Sequence, residues 1–220
     1  MAGLSRCHRQ GHRCRSAAQP REIRYGRITP PEKGITIAKQ FDQITEDHRR
    51  FIDAQHIFFC GTAADQGRVN ISPKGMDCLR ILGPNRIIWR NLSGSGNETA
   101  GHLLHKNRIT LMWCSFEARP MIMRAYGKAK TLHPRDAGFA TLNARFEQDV
   151  GARQIFDITV DLLQTSCGYA VPFYNHIGPR DTLKRQAKTH GADGVAQRWA
   201  RDNQTTIDGL PTDILDTDDA

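Results

Sequence analysis

The sequence predicts a mainly β protein with flanking helices, an α+β fold built on a barrel or a sandwich of short strands. Segments rich in β-branched and aromatic residues recur between residues 56 and 163, and turn residues such as Asp65–Gly67 separate them. Few segments between them have helical character, whereas a doubly wound α/β sheet alternates strands with helices throughout. At 220 residues, the chain is long enough to bury a hydrophobic core.

Residues 1–38 are predicted to form a basic, disordered tail. Residues 1–39 hold nine Lys or Arg against two acidic residues, a net charge of +7, whereas residues 40–220 carry +1. A nucleic-acid-binding domain carries its basic residues on the folded body, so we expect no nucleic-acid partner. The tail lacks the apolar centre of a secretory signal, and it fits either an Arg-rich organellar targeting peptide or an over-long translation start.

The remaining composition indicates a cytoplasmic protein with no membrane partner. No apolar run reaches the ~20 residues that a membrane-spanning helix requires. None of the six cysteines forms a CxxC pair, and their spacings match no zinc template. Cys60 and Cys114 lie within apolar segments, where a free thiol behaves as a small hydrophobe, so we expect a reducing compartment.

The first element after the tail is predicted to be a helix capped by Thr45. His48 occupies its third position, where a capping box has Glu or Gln, so the box is expected to be incomplete. Six strands are predicted next from apolar runs or period-2 alternation. These strands are His56–Thr62, Arg68–Ser72, Arg86–Leu92, Arg108–Phe116, Met121–Leu132 and Gln154–Leu163.

Helices are expected to interrupt and to follow these strands. The two internal helices are Glu98–Lys106, which follows a glycine-rich loop, and Ala137–Phe146. Asp181–Arg201 is polar and is predicted to be partly helical, with a break near Gly191–Gly194. The predicted organisation is therefore a tail over residues 1–38, a folded domain over 39–178 and a polar extension over 179–220.

The strongest candidate for a binding site is Asn91–Thr99, a glycine-rich segment that follows a strand and opens a helix. Free N–H groups and the dipole at a helix start favour an anion. Ser95, Asn97 and Thr99 add polar side chains suited to a phosphate. The segment lacks the Gly-Lys-Ser/Thr of a P-loop and the third glycine of a dinucleotide fingerprint. A plain loop that only caps the helix is the alternative.

A second candidate lies at the end of the predicted strand Arg68–Ser72, about 20 residues before this loop. In Asn70-Ile71-Ser72-Pro73-Lys74-Gly75, the side chains of Asn70, Ser72 and Lys74 should share one face of the strand. Lys74 could neutralise a phosphate, and Ser72 could donate a hydrogen bond to it. The alternative is a strand end with a solvated lysine.

The order of these motifs resembles the pyridoxamine 5'-phosphate oxidase family of FMN-binding proteins. The resemblance covers about residues 40–175 and rests on Gln55–Phe59, Asn70–Gly75, Gly94–Leu103 and Tyr126–Ala129. It implies a six-stranded split β-barrel and a homodimer that binds FMN in clefts between the subunits. It also implies which residues contact FMN: Lys74, Asn97, Glu98 and Thr99 at the phosphate, with Trp89 and Arg90 lining the site.

The chain departs from the true oxidases of this family at several positions. Glu98 and Thr99 stand where the oxidases place Arg-Lys, and Ile122 stands where they carry a glutamine that contacts FMN. Their C-terminal Trp and Arg-x-His elements have no clear match in residues 180–220. We therefore expect FMN binding and an oxidoreductase of unknown substrate, with no general acid or base named. The alternatives are a non-catalytic flavin carrier or sensor, a relative using deazaflavin or haem, and an anion-binding structural protein.

Overall fold

The structure, a computed structural model, describes residues 38–215. The predicted basic tail therefore lies outside the described residues, apart from residue 38. Eight strands are present: β1 Lys39–Phe41, β2 Phe58–Thr62, β3 Asn70–Lys74, β4 Leu79–Gly83, β5 Arg86–Leu92, β6 Ile109–Cys114, β7 Ile122–Leu132 and β8 Ala152–Ser166. Four helices accompany them: α1 Glu46–Asp53, α2 Glu98–His105, α3 Phe139–Asn143 and α4 Thr182–Asp202.

The eight strands form one open antiparallel sheet, in which seven follow the order β3-β2-β6-β7-β8-β5-β4 and β1 pairs with β8. Strand β8 is central because β7 pairs along most of its length, while β5 and then β1 pair along its other edge. The predicted mainly β fold with flanking helices is confirmed. The resemblance implied six strands, and the two additional ones are β1, only three residues long, and β4, whose burial does not alternate.

Side-chain alternation along the sheet separates two hydrophobic clusters. In β5, Ile87 and Trp89 enter the larger cluster, which contains Phe58, Trp113 and Phe156. The residue between them, Ile88, points to the opposite face because successive side chains on a strand alternate. There it packs with Ile155 beneath α3, in a cluster completed by Leu132, Phe139, Leu142 and Phe146. Strand β5 is therefore buried on both faces.

Helix α1 begins after Thr45, and its capping box is complete, so the expectation of an incomplete box is wrong. The Thr45 hydroxyl accepts a hydrogen bond from the His48 N–H at 3.4 Å, and His48 Nδ1 accepts one from the Thr45 N–H at 3.1 Å. Burial lowers the pKa of His48, which favours the neutral imidazole that can act as this acceptor. Imidazole therefore replaces the carboxylate of the usual box.

Helix α4 and the segment after it pack against the rest of the described chain. The predicted break is confirmed, since Gly191 has a φ of 66°, outside the helical region. Residues 203–212 then fold back on themselves, with a bridge between Thr205 and Pro211. Among the described residues, no helix is both long enough and apolar enough to cross a membrane.

Candidate functional site

A cavity of about 300 Å³ lies where β3, the end of β5, the start of α2 and the start of β8 meet. Most of its lining residues are polar or glycine. They come mainly from the two segments that the sequence singled out, Asn70–Gly75 and Asn91–Thr99. The lining residues are Asn70, Ser72, Lys74, Asn91, Leu92, Gly94, Ser95, Gly96, Asn97, Glu98, Thr99 and Arg153.

Strand β3 supplies one wall of the cavity, as its alternation predicted. Asn70, Ser72 and Lys74 line the cavity, while Ile71 and Pro73 on the other face are exposed. The Lys74 ammonium lies 5.0 Å above the Trp89 ring centroid. Burial lowers the pKa of Lys74, and the positive charge of Arg153 acts in the same direction. A bound anion would offset both effects.

Arg153 supplies the second positive charge, which reasoning from the sequence missed. Asn91 pairs with Gln154, and Leu92 pairs with Ala152, so Arg153 is an extra residue in a β-bulge. A bulge re-aims the side chain of its extra residue, and here that side chain reaches the cavity. Arg153 immediately precedes the predicted strand Gln154–Leu163, and no local pattern indicated that its side chain would enter a site.

The guanidinium of Arg153 is buried, with 2% of the residue exposed. It donates to Gly96 O at 3.0 Å and to Asn203 Oδ1 at 2.6 Å. Within residues 38–215, no ion pair includes Arg153, and its Nε has no hydrogen-bond partner. Burial lowers its pKa to about 10, and the charge of Arg198 contributes to the decrease. The group therefore remains cationic at neutral pH without a carboxylate beside it.

The glycine-rich loop, residues 93–98, forms the floor of the cavity and leads into α2. Ser93 anchors it, since both its N–H and its hydroxyl donate to Gly151 O, at 2.8 and 3.0 Å. In the described part of the chain, the main-chain N–H groups of residues 94–100 have no acceptor. Unpaired N–H groups at a helix start form an anion site when they face a bound group.

Polar side chains at the start of α2 are held by specific partners. The Glu98 carboxylate accepts a hydrogen bond from the Ile207 N–H, with both oxygens at 3.2 Å. Thr99 Oγ1 accepts from Asn70 Nδ2 at 3.4 Å, which links the loop to β3. Asn97 Nδ2 donates to Asn203 O, and its buried Oδ1 has no partner within the described residues.

Two predicted site residues, Trp89 and Arg90, do not line the cavity. Trp89 is buried in the larger cluster, with its ring centroid 4.8 Å from that of Phe156, and it reaches the cavity only through Lys74. Arg90 points to the opposite face of the sheet, where its guanidinium lies 4.8 Å from the Phe146 ring centroid. The other seven predicted residues surround the cavity.

The residues that the sequence did not single out are Arg153 and a group near the C-terminus. Asn203 contacts Arg153 and the glycine-rich loop, although about 105 positions separate it from that loop in sequence. Trp199 donates from Nε1 to Ser93 Oγ at 2.7 Å. A polar helix gave no signal that its end would pack here.

Comparison with known proteins shows the family. A family model described as pyridoxamine 5'-phosphate oxidase matches residues 44–167, more than half of the chain. A pyridoxamine 5'-phosphate oxidase family protein, ustO, from Aspergillus flavus is 33% identical over 137 residues, which cover 60% of this chain and 55% of that protein. The match thus spans only about half of that relative's length.

Solved structures are more distantly similar. A putative pyridoxamine 5'-phosphate oxidase from Lactobacillus delbrueckii has a TM-score of 0.46 and 13% identity, covering 56% of this chain and 94% of that one. An FAD binding protein from Mycobacterium smegmatis has a TM-score of 0.41 and 11% identity, covering 57% and 96%. The assignment therefore rests on the match over residues 44–167, which shows that the chain belongs to the pyridoxamine 5'-phosphate oxidase family.

Proposed function

We propose that the protein binds FMN with the phosphate in the cavity, and that it is an FMN-dependent oxidoreductase acting on a small molecule still to be identified. The observation that carries the proposal is Arg153, a buried cation without a carboxylate partner in residues 38–215. It lies in the same cavity as Lys74 and the loop N–H groups. Together they match the charge and the acceptor oxygens of a phosphate.

The composition of the cavity supports a particular part of FMN as its occupant. Leu92 is the one lining residue with a large apolar side chain, whereas Asn70, Ser72, Asn91 and Asn97 offer hydrogen-bonding groups. This lining suits a phosphate and the hydroxyls of a ribityl chain better than a flavin ring. The isoalloxazine ring would supply the redox chemistry by accepting a hydride, and the protein would supply position and polarity.

A flavin carrier or sensor without turnover is the second candidate. The cavity's charged side chains are Lys74, Arg153 and Glu98, and Glu98 already accepts a hydrogen bond from Ile207. Lys74 and Arg153 are assigned to the phosphate in this proposal, so no charged side chain of the cavity is left as a general acid or base, which favours this candidate. Anaerobic reduction of the bound flavin by NADH or NADPH, then reoxidation on admitting oxygen, would support the oxidoreductase. Absence of bleaching with either donor would favour the carrier or sensor.

A deazaflavin and haem are the other ligands that we considered. A deazaflavin that carries a phosphate could use the same cavity. Haem requires an axial ligand such as His, Cys, Met or Tyr, and none of these residues lines the cavity. The donor set therefore fits a phosphate-bearing flavin better than haem.

We also propose a homodimer, with a second subunit covering the flavin ring. Strand β3 lies at an edge of the sheet and borders the cavity, so a subunit docked along it would also reach the flavin. On its other face Ile71 is 70% exposed, and Val69, just before the strand, is 68% exposed. They border an apolar groove of about 470 Å³ that also involves Phe59, Met112 and Tyr126. Exposed apolar patches of this kind mark interaction sites. Sedimentation should give a dimer for the native chain and a monomer for Ile71→Glu, while a native monomer that binds FMN would refute the shared site.

A cytoplasmic location is proposed from the cysteines. The four that the structure describes are free, and Cys60, Cys78 and Cys114 are buried. Burial raises the pKa of Cys60 to about 12 and that of Cys78 to about 11, which makes them unreactive. Buried, unpaired thiols suit a reducing compartment. Fractionation of cells that express the full chain would test this location.

The first experiment is an absorbance spectrum of the purified protein, followed by mass analysis of the molecule released on denaturation. Release of FMN would support the main proposal. Release of a deazaflavin or haem would keep the fold and change the chemistry. A colourless protein that also fails to bind added FMN would refute flavin binding and leave an anion-binding structural protein.

A further inference from the structure

The segment after the middle of α4 lies against the glycine-rich loop, although it is outside the residues that match the family model. We call residues 199–212 the C-terminal strap. We propose that the strap positions the loop for phosphate binding, and that Asn203 is its main positioning residue. This inference rests on the proposed binding of a phosphate group in the cavity and adds the element that shapes it.

Both polar groups of the Asn203 side chain have partners, the amide nitrogen in the loop and the oxygen at Arg153. Its Nδ2 lies 3.4 Å from Gly94 O and 3.5 Å from Ser95 O, while its Oδ1 accepts from Arg153. Arg153 in turn donates to Gly96 O. Three consecutive loop carbonyls therefore interact with Asn203 or Arg153, and the adjoining N–H groups are left for a ligand.

Two further contacts fix the ends of the loop. Trp199 Nε1 donates to Ser93 Oγ at the start, and the Ile207 N–H donates to the Glu98 carboxylate at the end. The second contact gives Glu98 a partner in the strap, which lessens the cost of a carboxylate near a phosphate. The strap therefore touches the loop at its beginning, middle and end.

The strap is rigid enough to hold the loop. Asn203 is 0% exposed, and Thr206 and Thr212 are also buried. Internal hydrogen bonds close the strap, from Thr206 N to Leu210 O and from Thr212 N to Gln204 O, at 2.8 and 3.0 Å. It also packs directly on the backbone of α2, since a Cβ added at Gly101 would overlap the Thr206 methyl group.

The chemistry predicts which ligands depend on the strap. Asn203 orients Arg153 directly and the loop N–H groups through the loop carbonyls, and both sets of donors would bind the phosphate rather than the rest of a flavin. Loss of Asn203 should therefore weaken phosphate-bearing ligands selectively. A residue that only stabilised the fold would affect FMN and riboflavin alike, since the two differ by the phosphate.

The test compares the affinities of Asn203→Ala for FMN and riboflavin, measured by quenching of flavin fluorescence with the full chain. We expect FMN affinity to fall about tenfold or more, because a buried hydrogen-bond network to a charged group is lost. Riboflavin affinity should change less than about twofold. Gln204→Ala is the matched control, because the exposed side chain of Gln204 bonds only to Ala200 O near the end of α4 and does not contact the loop. This variant should leave both affinities unchanged.

Trp199→Phe provides a second variant if Asn203→Ala does not fold. It keeps an aromatic ring and removes the Nε1 donor to Ser93 together with part of the indole, so we expect a smaller loss confined to FMN. Equal losses for FMN and riboflavin, or no loss in either variant, would overturn the inference. A native chain that binds neither flavin would instead refute the proposed function. The role of the strap would then be tested with inorganic phosphate by ³¹P NMR. Equal phosphate binding by the native and variant chains would overturn the inference, and so would the absence of phosphate binding by the native chain.

Discussion

Replacement of Arg153 by methionine should weaken FMN binding strongly, while the free energy of unfolding of the ligand-free protein falls only moderately. In the free protein, the guanidinium is buried with a pKa lowered to about 10 from 12.5. Such a decrease corresponds to roughly 3 kcal/mol of unfavourable free energy for keeping the charge in the fold. Methionine removes this cost and also removes the hydrogen bonds to Asn203 and Gly96, which contribute about 1.5–3 kcal/mol each. The free energy of unfolding should therefore fall by no more than about 3 kcal/mol.

The same substitution should also weaken the binding of FMN. A lost charge-assisted hydrogen bond to a phosphate costs about 1.5–3 kcal/mol, which raises the Kd for FMN by about 10- to 150-fold. At an FMN concentration of 100 times the native Kd, ligand binding stabilises the native chain by about 2.7 kcal/mol. After a hundredfold rise in Kd, the same concentration would contribute only about 0.4 kcal/mol.

Thermal unfolding with and without FMN measures both quantities. Arg86→Met is the matched control, because Arg86 is exposed, pairs with Asp157 across β5 and β8, and does not line the cavity. The control should change stability by about 1 kcal/mol or less and leave FMN stabilisation intact. An Arg153→Met protein that FMN stabilises as strongly as the native chain would remove Arg153 from the site.

Three further predictions concern Lys74, Gly127 and His48. Lys74→Met should weaken FMN by about 1.5–3 kcal/mol and leave riboflavin unchanged in isothermal titration, and an unaltered FMN titration would exclude a Lys74–phosphate contact. Gly127→Ala should cost about 1–3 kcal/mol in denaturant unfolding, because its Cβ would overlap the Thr159 carbonyl oxygen at a bulge between β7 and β8. Gly83→Ala, with open space at that position, is its control, and equal midpoints for the two variants would contradict this packing. The pKa of His48 is lowered from 6.5 in the fold, so its contribution to stability is complete above pH 6.5 and is lost as the pH falls through the lowered value. When the pH is lowered from 7 into the acidic range, the free energy of unfolding should decrease less for His48→Gln than for the native chain. Identical pH profiles of the two proteins would show that the His48 cap does not titrate with folding.

Patterns local to the sequence were sufficient for most elements and for most of the residues that line the cavity. Strand β5 was predicted with its observed bounds, Arg86–Leu92, because a buried run between turn residues has few other conformations. The shared face of Asn70, Ser72 and Lys74 followed from strand alternation alone. The prediction that the glycine-rich loop binds an anion followed from a helix start with small, polar residues. Each of these inferences needs only residues that are neighbours in the chain.

Other features depended on contacts that no local pattern encodes. Strand β4 forms because β5 pairs with it, and its own burial shows no alternation. His48 completes a capping box because burial favours its neutral imidazole. Trp89 was expected at the ligand, yet it packs into the core because its side of β5 faces Phe58 and Phe156.

The cavity shows most clearly which features short stretches of sequence predict and which depend on the tertiary structure. The sequence by itself determined which segments could bind a phosphate, since loop composition and strand periodicity are properties of short stretches of chain. Only the tertiary structure decided that Arg153 enters the cavity, because a one-residue bulge in β8 turns its side chain there. Only the tertiary structure brought Asn203 to the loop, because that contact depends on how α4 packs, a balance of many long-range interactions rather than any local preference.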